Sequence, residues 1–224
     1  MNAVLEVRGV SKSFGGVVAA ADLDVTVERG EIVGIIGANG AGKTTLMRAI
    51  CGLLLAARGR VVLDGRDVTR LPAHRRARLG VGYMPEDRRL VPQLPVRDNI
   101  LLPLWARGVA DAEARLAEVL RFVPDIEPFL ARPALRLSGG QQKLVALARA
   151  LAAGERVLLL DEPFEGVAPA LARRLAEILE SLGHAGQRTI LVSGSDYTHT
   201  AGLVDRLYAI ERGRVEPAAP TGAG

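Results

Sequence analysis

Short apolar runs alternate with stretches of helical periodicity along most of the chain, and this alternation predicts an α/β fold. The apolar runs predict strands at residues 4–8, 17–27, 32–36, 60–65, 81–84, 156–160, 188–192 and 207–211. The periodic stretches predict helices at residues 44–55, 72–79, 99–106, 111–123, 138–153 and 169–182, with a short one near 197–202. The first strand has the alternation of an edge strand, and Asp98 is expected to be the N-cap of the third helix.

The middle of the chain departs from this alternation. Residues 88–136 show no strand pattern, and with the helix that follows they predict a helical subdomain at about 88–153. Residues 3–215 are predicted to form a single domain, and we find no internal repeat. Because proline, alanine and glycine dominate residues 216–224, we expect a disordered tail there.

Composition indicates a globular protein with a substantial core, since 49% of the residues are apolar. No apolar run approaches the roughly 18 residues that suggest a membrane-spanning helix. The N-terminal residues lack a basic region followed by a long apolar stretch, so no secretory signal is predicted. Cys51 is the one cysteine and cannot form an internal disulfide. A reducing cytoplasm is the simplest interpretation, with Cys51 an inert core residue on a helix.

The charge balance is basic, with 29 basic and 25 acidic residues and a net charge of +4. A pI near 9.7 suggests nucleic acid as a partner. The mixed signs and the scarcity of interleaved aromatic residues argue against that partner, so no nucleic acid is predicted. The densest basic stretch holds Arg75, Arg76 and Arg78, followed by Arg88 and Arg89. A solvated helix face and a contact with a partner or lipid headgroups both remain open for it.

A glycine-rich loop lies between the strand at 32–36 and the helix that follows, with the P-loop spacing G-x-x-x-x-G-K-T. Backbone amides can point inward only where Cβ atoms are scarce, and the helix N-terminus adds partial positive charge. Lys43 is predicted to reach the β- and γ-phosphates of a nucleotide, and the Thr44 hydroxyl to bind Mg²⁺. The residues assigned to nucleotide binding here are Gly37, Asn39, Gly40, Ala41, Gly42, Lys43, Thr44 and Thr45.

Two acids follow the apolar run at 157–160, which predicts a strand buried on both faces. Catalytic acids lie at the carboxyl ends of such strands. Asp161 is predicted to hold Mg²⁺ through water, and Glu162 to act as general base on the attacking water. The alternative is a polar loop after a core strand, which the P-loop makes the weaker interpretation.

A third motif, Leu137-Ser138-Gly139-Gly140-Gln141, opens a predicted helix. With the other two motifs it resembles the signature of ATP-binding-cassette (ABC) ATPases, and the resemblance covers about residues 3–215. It implies a P-loop NTPase core with an N-terminal antiparallel β subdomain and a helical subdomain. It also implies a head-to-tail dimer in which ATP lies between one P-loop and the other subunit's signature. Ser138, Gly139, Gly140 and Gln141 are therefore assigned to the partner's nucleotide.

Three further assignments follow from the resemblance. Phe14 matches the aromatic residue that stacks on adenine, with a core phenylalanine as the alternative. Glu86 occupies the position of a Mg²⁺-sensing glutamine and is assigned as a metal ligand. Ser195 occupies the position of a histidine that contacts the γ-phosphate and is assigned a catalytic role. His199 would have to reach back by one helical turn to replace that histidine, while His74 and His184 are expected on the surface.

The PEDRR sequence at 85–89 and the EGVAP sequence at 165–169 resemble the smaller ATPase subunit of branched-chain amino-acid importers. We therefore expect a peripheral subunit on the cytoplasmic face of the inner membrane that hydrolyses ATP to drive uptake of these or related small solutes. Its implied partners are a second cassette, identical or not, membrane permease subunits and, indirectly, a solute-binding protein. The alternatives are a weakly hydrolysing regulatory cassette of an asymmetric pair, a sugar importer ATPase and, more weakly, a soluble cassette of DNA repair or translation.

Overall fold

The computed structural model describes residues 3–15, 17–185, 188–195, 198 and 202–219, with the side chains of residues 17, 184 and 185 excluded. Its strands are β1 Ala3–Phe14, β2 Val17–Glu28, β3 Ile32–Ile36, β4 Arg58–Leu63, β5 Arg66–Asp67, β6 Val81–Met84, β7 Val157–Leu160, β8 Thr189–Gly194, β9 Arg206–Glu211 and β10 Arg214–Ala218. Its α-helices are α1 Lys43–Cys51, α2 Ala73–Arg78, α3 Val96–Arg107, α4 Ala112–Phe122, α5 Gly139–Ala153 and α6 Pro169–Glu180. Short 3₁₀ helices at Pro124–Phe129 and Ala134–Arg136 and a π-helical turn at Ser181–Ala185 complete the described elements.

Two sheets organise the molecule. An antiparallel sheet has the strand order β2-β1-β4-β5, and a six-stranded sheet has the order β10-β9-β3-β8-β7-β6. Strands β9, β3, β8, β7 and β6 run parallel, while β10 pairs antiparallel at one edge. This arrangement confirms the predicted α/β class with its antiparallel β subdomain. The carboxyl ends of β3, β7 and β8 meet at one edge of the larger sheet, where ligands bind in such folds.

The larger sheet is covered on both faces. Alternate residues of β7 and β8 face opposite sides: Leu158 and Ile190 join one core cluster, whereas Leu159 and Leu191 join the other. The first cluster includes helices α3 to α6, and the second includes α1 and the antiparallel sheet. Burial on both faces explains why these strands are apolar throughout.

Several predicted boundaries differ from the structure. The strand at 4–8 extends to Phe14 and lies inside its sheet between β2 and β4, so the edge position is wrong. Pro95 is the N-cap of α3 and Asp98 lies in the first turn, where its charge suits the helix dipole. Helix α1 ends at Cys51 because Gly52 adopts a left-handed conformation. Residues 216–218 belong to strand β10, where the sequence predicts a tail.

Arg76 corrects the interpretation of the basic stretch as a solvated face. Its side chain is 1% exposed. Its guanidinium donates to the carbonyls of Ala49 and Ile50 at 2.7 and 2.8 Å, in the last turn of α1. It also donates to the carbonyls of Leu71 and Thr69, at 2.9 and 2.8 Å. Arg76 therefore satisfies carbonyls that the end of α1 leaves without helical partners, and it joins α1 to α2.

Cys51 is buried, as predicted, and burial raises the pKa of its thiol to about 11. Of the predicted short helix near 197–202, most residues lie outside the described part of the chain. No helix within the described ranges is both long and apolar enough to cross a membrane.

Candidate functional site

The P-loop connects β3 to α1, and its glycines are required by close backbone approaches. A Cβ atom on Gly37 would lie 2.3 Å from the carbonyl oxygen of Ile210, and one on Gly42 would lie 2.6 Å from that of Ala19. Gly42 also has a φ of 117°, which side chains rarely tolerate. The loop leaves Ala38, Asn39 and Gly40 exposed, with Thr44 and Thr45 half-buried at the start of α1. These backbone amides are available to an anion at a helix N-terminus.

The side chain of Lys43 lies across this loop. Its ammonium donates to the carbonyls of Gly37 and Ala38 at 2.5 and 3.1 Å. It also forms an ion pair with Glu162, with 3.1 Å between Nζ and Oε1. The two side chains are 3% and 8% exposed, so the pair is shielded from water. The lysine and the acid predicted from separate motifs thus meet in space.

Asp161 lies fully buried at the end of β7 and accepts three side-chain hydrogen bonds. Its Oδ1 accepts from Ser193 at 2.9 Å and from Thr44 at 3.3 Å, and its Oδ2 accepts from Tyr83 at 3.0 Å. Burial raises the pKa of Asp161, and these hydrogen bonds oppose the rise.

The neighbouring oxygens of Thr44 and Asp161 fit Mg²⁺, which prefers hard oxygen ligands. Among the residues that the structure describes, no group of three or more His, Cys, Asp or Glu side chains could hold a metal.

Glu162 has a backbone conformation that is uncommon for a residue with a side chain, with a φ of 49°. Lys143, buried on α5, donates to the carbonyls of Glu162 and Glu165 at 3.2 and 2.5 Å. Burial lowers the pKa of Lys143. The ammonium of Lys143 on helix α5 therefore holds the turn that carries Glu162 through two backbone carbonyls.

The signature residues form the N-terminus of α5 with a complete capping box. The Ser138 hydroxyl accepts from the Gln141 amide at 3.3 Å, and the Gln141 side chain accepts from the Ser138 amide at 2.9 Å. This geometry fixes the loop and leaves a cleft of about 760 Å³ in front of it. The cleft is lined by Glu86, Asp87, Arg88, Ser138, Gly139, Gly140, Gln141, Lys143, Leu144, Glu165, Gly166, Val167, Ala168, Ala170 and Leu171. No P-loop residue lines it, so the two predicted halves of the nucleotide site are separate within one chain.

The loop after β6 is attached to the signature helix. Arg88 donates to the Gly139 carbonyl at 3.1 Å, and Arg149 donates to the carbonyls of Arg88 and Arg89 at 2.6 and 2.7 Å. Arg88 and Arg89 have positive φ angles, a conformation that Arg149 stabilises from α5. Glu86 is exposed on this loop and faces the signature cleft. Tyr83, a residue of β6 to which the sequence assigns no role, donates its hydroxyl to Asp161.

Ser195 is exposed, and its hydroxyl donates to Glu165 at 3.5 Å. The serine that reaches the acids is Ser193, two residues earlier, which sequence reasoning missed. His199 lies outside the described residues, as does the side chain of His184. The roles assigned to Glu86 and Ser195 therefore stay predictions.

Phe14 ends β1 with 50% of its surface exposed. The alternative of a core phenylalanine is therefore wrong. The Lys12 ammonium lies 5.4 Å from the centroid of its ring. The ring of Phe14 is thus partly exposed at the end of a strand of the antiparallel sheet.

Comparison with known proteins places these features in a family. Residues 20–165 match the family model described as ABC transporter. A probable ABC transporter ATP-binding protein of Azorhizobium caulinodans is 39% identical, over 92% of this chain and 74% of the relative. The high-affinity branched-chain amino acid transport ATP-binding protein BraG of Pseudomonas aeruginosa is 35% identical, over 92% and 88% of the two chains. The lipopolysaccharide export system ATP-binding protein LptB of Escherichia coli is 34% identical, over 95% and 89%.

Solved structures give the same result. A dimeric bacterial ABC transporter cassette superposes with a TM-score of 0.86 and 25% identity, covering 98% of this chain and 100% of that one. An ATP-binding cassette of an ABC transporter in its ADP conformation superposes with a TM-score of 0.82 and 28% identity, over 96% and 90%.

Proposed function

The chain belongs to the ABC transporter family and is an ATP hydrolase, and on that premise we propose that it powers an importer for branched-chain amino acids or a related small solute. Cassettes of this family dimerise and work with membrane permease subunits. We propose that one cassette's P-loop and the partner's residues 138–141 hold each ATP between them. The partner is a second copy or a similar cassette.

The observation that carries the proposed pairing of two cassettes is the separation of the P-loop from the signature helix within one chain, whereas the proposed solute rests on the similarity to BraG. The P-loop, Asp161 and Glu162 gather at the carboxyl edge of the larger sheet, whereas Ser138 and Gln141 cap another helix beside a different cleft. A single chain cannot close both sites around one nucleotide. A head-to-tail pair completes two of them, and closure then depends on ATP.

The side chains around the P-loop and Phe14 have the following proposed roles. Lys43 leaves Glu162 and neutralises charge on the β- and γ-phosphates, while Thr44 and Asp161 supply oxygens for Mg²⁺. When bound, Mg²⁺ offsets the charge that develops on the phosphates. Glu162, freed from Lys43, accepts a proton from the attacking water. Phe14 stacks on the base and determines affinity more than rate.

We propose that the loop at 80–100 and the helical subdomain bind a cytoplasmic helix of the permease. An apolar hollow of about 260 Å³, which this segment shares with the end of α1 and with α2, supports this; it is lined by Cys51, Leu53, Ala73, His74, Ala77, Val81, Tyr83 and Ala153. Leu53, in this lining, is 58% exposed, and Leu55, two residues further along the chain, is 55% exposed. Exposed apolar surface of this kind favours a protein partner. A cysteine at Arg89 should crosslink to the permease. Crosslinks to every other component but not to the permease contradict the proposal.

The direction of transport and the solute are tested together. The complex is purified with the membrane proteins that accompany this chain and reconstituted into liposomes with a solute-binding protein. Leucine, isoleucine or valine on the binding-protein side should stimulate ATP hydrolysis and accumulate in the opposite compartment. Stimulation by lipopolysaccharide instead, with no amino-acid accumulation, contradicts import and favours an exporter of the kind that LptB serves.

A regulatory cassette with weak hydrolysis is the second candidate, because Ser195 occupies the position at which the family resemblance implies a histidine. Loss of one donor to the developing charge typically costs about 10²–10³-fold in rate. ATP turnover by the assembled complex with Glu162→Gln separates the two candidates. In a complex whose turnover depends on this chain the rate falls, and in an asymmetric complex with a regulatory cassette here it does not.

A further inference from the structure

Ser193 is a buried hydroxyl in contact with both acids of the site. It is the fifth residue of β8, and its exposed fraction is 0%. Its Oγ donates to Asp161 Oδ1 at 2.9 Å and accepts from the backbone amide of Glu162 at 3.1 Å. One hydroxyl thus bonds the carboxylate of one acid and the backbone of the next.

The pairing of β7 with β8 explains this position. Leu160 pairs with Val192, so Asp161 and Ser193 come one step further along parallel neighbours. Ile190, Leu191 and Val192 are fully buried apolar residues. Burying a hydroxyl at the end of such a run lowers the free energy of unfolding unless its hydrogen and its oxygen both form hydrogen bonds. The Ser193 hydroxyl forms both.

Ser193 also supplies the hydrogen-bond acceptor for the Glu162 amide where the strand pairing ends. The Asp161 amide still donates to the Met84 carbonyl, in continuation of the β6–β7 ladder. At Glu162 the chain turns away with a φ of 49°, and its amide donates to Ser193 instead. The hydroxyl therefore stabilises an uncommon backbone conformation at the residue proposed as general base.

We infer that Ser193 is a positioning residue that fixes Asp161 for Mg²⁺ and Glu162 for the attacking water at the same time. The inference rests on the proposed roles of those two acids. Ser193 donates to the same Oδ1 of Asp161 that accepts from Thr44, so it helps to hold that oxygen beside Thr44, where Mg²⁺ would bind. Because Ser193 also accepts from the next amide, a change at the metal side is transmitted to the backbone that carries Glu162.

Thr189 provides a matched control on the same strand. It is 2% exposed, and its Oγ1 accepts from the Gly30 amide at 3.0 Å. It lies four residues before Ser193, roughly 13 Å away at the other end of β8. Thr189→Val removes a buried hydroxyl with little change of shape, so it reports the structural cost of such a loss without touching the acids.

The experiment compares Ser193→Ala, Ser193→Thr and Thr189→Val with the parent chain. We measure kcat and KM for ATP in the assembled complex, the Mg²⁺ concentration at half-maximal rate, and fluorescent ADP binding to the chain with and without Mg²⁺. Ser193→Ala should lower kcat and raise the Mg²⁺ requirement by about 10–100-fold, the usual effect of removing a ligand's partner. Nucleotide binding without Mg²⁺ should be unchanged. Ser193→Thr should restore most of both losses, and Thr189→Val should lower thermal stability alone.

Parent-like kcat and Mg²⁺ dependence in Ser193→Ala overturn the inference. Equal losses in Ser193→Ala and Thr189→Val, proportional to lost stability, also overturn it. If the parent complex hydrolyses no ATP, the proposed function fails separately. The Mg²⁺-dependent gain in ADP binding, reduced in Ser193→Ala and kept in Thr189→Val, then still supports positioning of Asp161, and equal gains in all variants overturn it.

Discussion

Replacing Glu162 with glutamine should strengthen ATP binding while it slows ATP turnover. The Glu162 carboxylate lies 3.1 Å from the Lys43 ammonium, and both side chains are almost completely shielded from water. ATP binding must draw Lys43 away from this carboxylate toward the phosphates. Glutamine keeps the shape and an acceptor oxygen but removes the charge that competes for the lysine.

The size of the effect follows from the ion pair. Two unit charges about 3 Å apart attract by roughly 5 kcal/mol at an effective dielectric constant of about 20, before desolvation is subtracted. Desolvation of both groups cancels much of that attraction. If about 1–2 kcal/mol remains, the variant binds ATP roughly 5–30-fold more tightly. Loss of a general base lowers turnover by about 10²–10⁴-fold.

The assay measures both quantities on the same preparations. Fluorescent ATP titrations of the chain give affinity, and phosphate release by the assembled complex gives turnover. Glu180→Gln, at an exposed glutamate at the end of α6, controls for the loss of one negative charge. Unchanged turnover refutes the catalytic role of Glu162. Weaker ATP binding in Glu162→Gln refutes the competition between the carboxylate and the phosphates for Lys43.

Three further predictions concern stability and affinity. Arg76→Met leaves two buried and two part-buried carbonyls without their donor and should lower the unfolding free energy by about 3 kcal/mol or more in urea titrations, whereas Arg75→Met, at an exposed neighbour, should not. Because burial raises the pKa of Asp161, stability is lost as pH rises from its unfolded to its folded pKa. Asp161→Asn should therefore raise the thermal unfolding midpoint in Mg²⁺-free buffer at neutral pH. An equal rise of the midpoint at a pH below the ordinary carboxyl pKa of about 4 contradicts this explanation. Phe14→Ala should weaken ATP binding by about 1–3 kcal/mol without changing the unfolding midpoint, since the ring is half exposed; equal affinity excludes stacking.

The sequence was informative wherever a residue's role is determined by its neighbours along the chain. Strands β3 and β6 begin and end as predicted, because each apolar run is bounded by glycine, proline or charged residues. The P-loop and the two acids after β7 also form local patterns. Their proximity in space follows from the parallel order of the strands.

Residues whose partners come from distant segments could not be found in this way. Ser193 and Tyr83 are single polar residues near the ends of apolar runs, and their common partner Asp161 directly follows another strand, β7. Lys143 resembles an ordinary helix lysine until the fold places carbonyls around its ammonium. Arg76 follows the same rule, because the adjacent arginines give no sign that one of them is buried. The interior position of β1 is likewise decided by pairing across the sheet.

Arg76 also has a mechanical consequence. Its guanidinium clamps the last turn of α1, and the first turn of that helix carries the P-loop amides. Helix α1 is roughly 13 Å long, at a rise of 1.5 Å per residue. Helix α2, which supplies the clamp, also forms one wall of the apolar hollow. The hydrogen bonds of Arg76 and the single helix α1 thus join one wall of the hollow to the P-loop without an intervening loop.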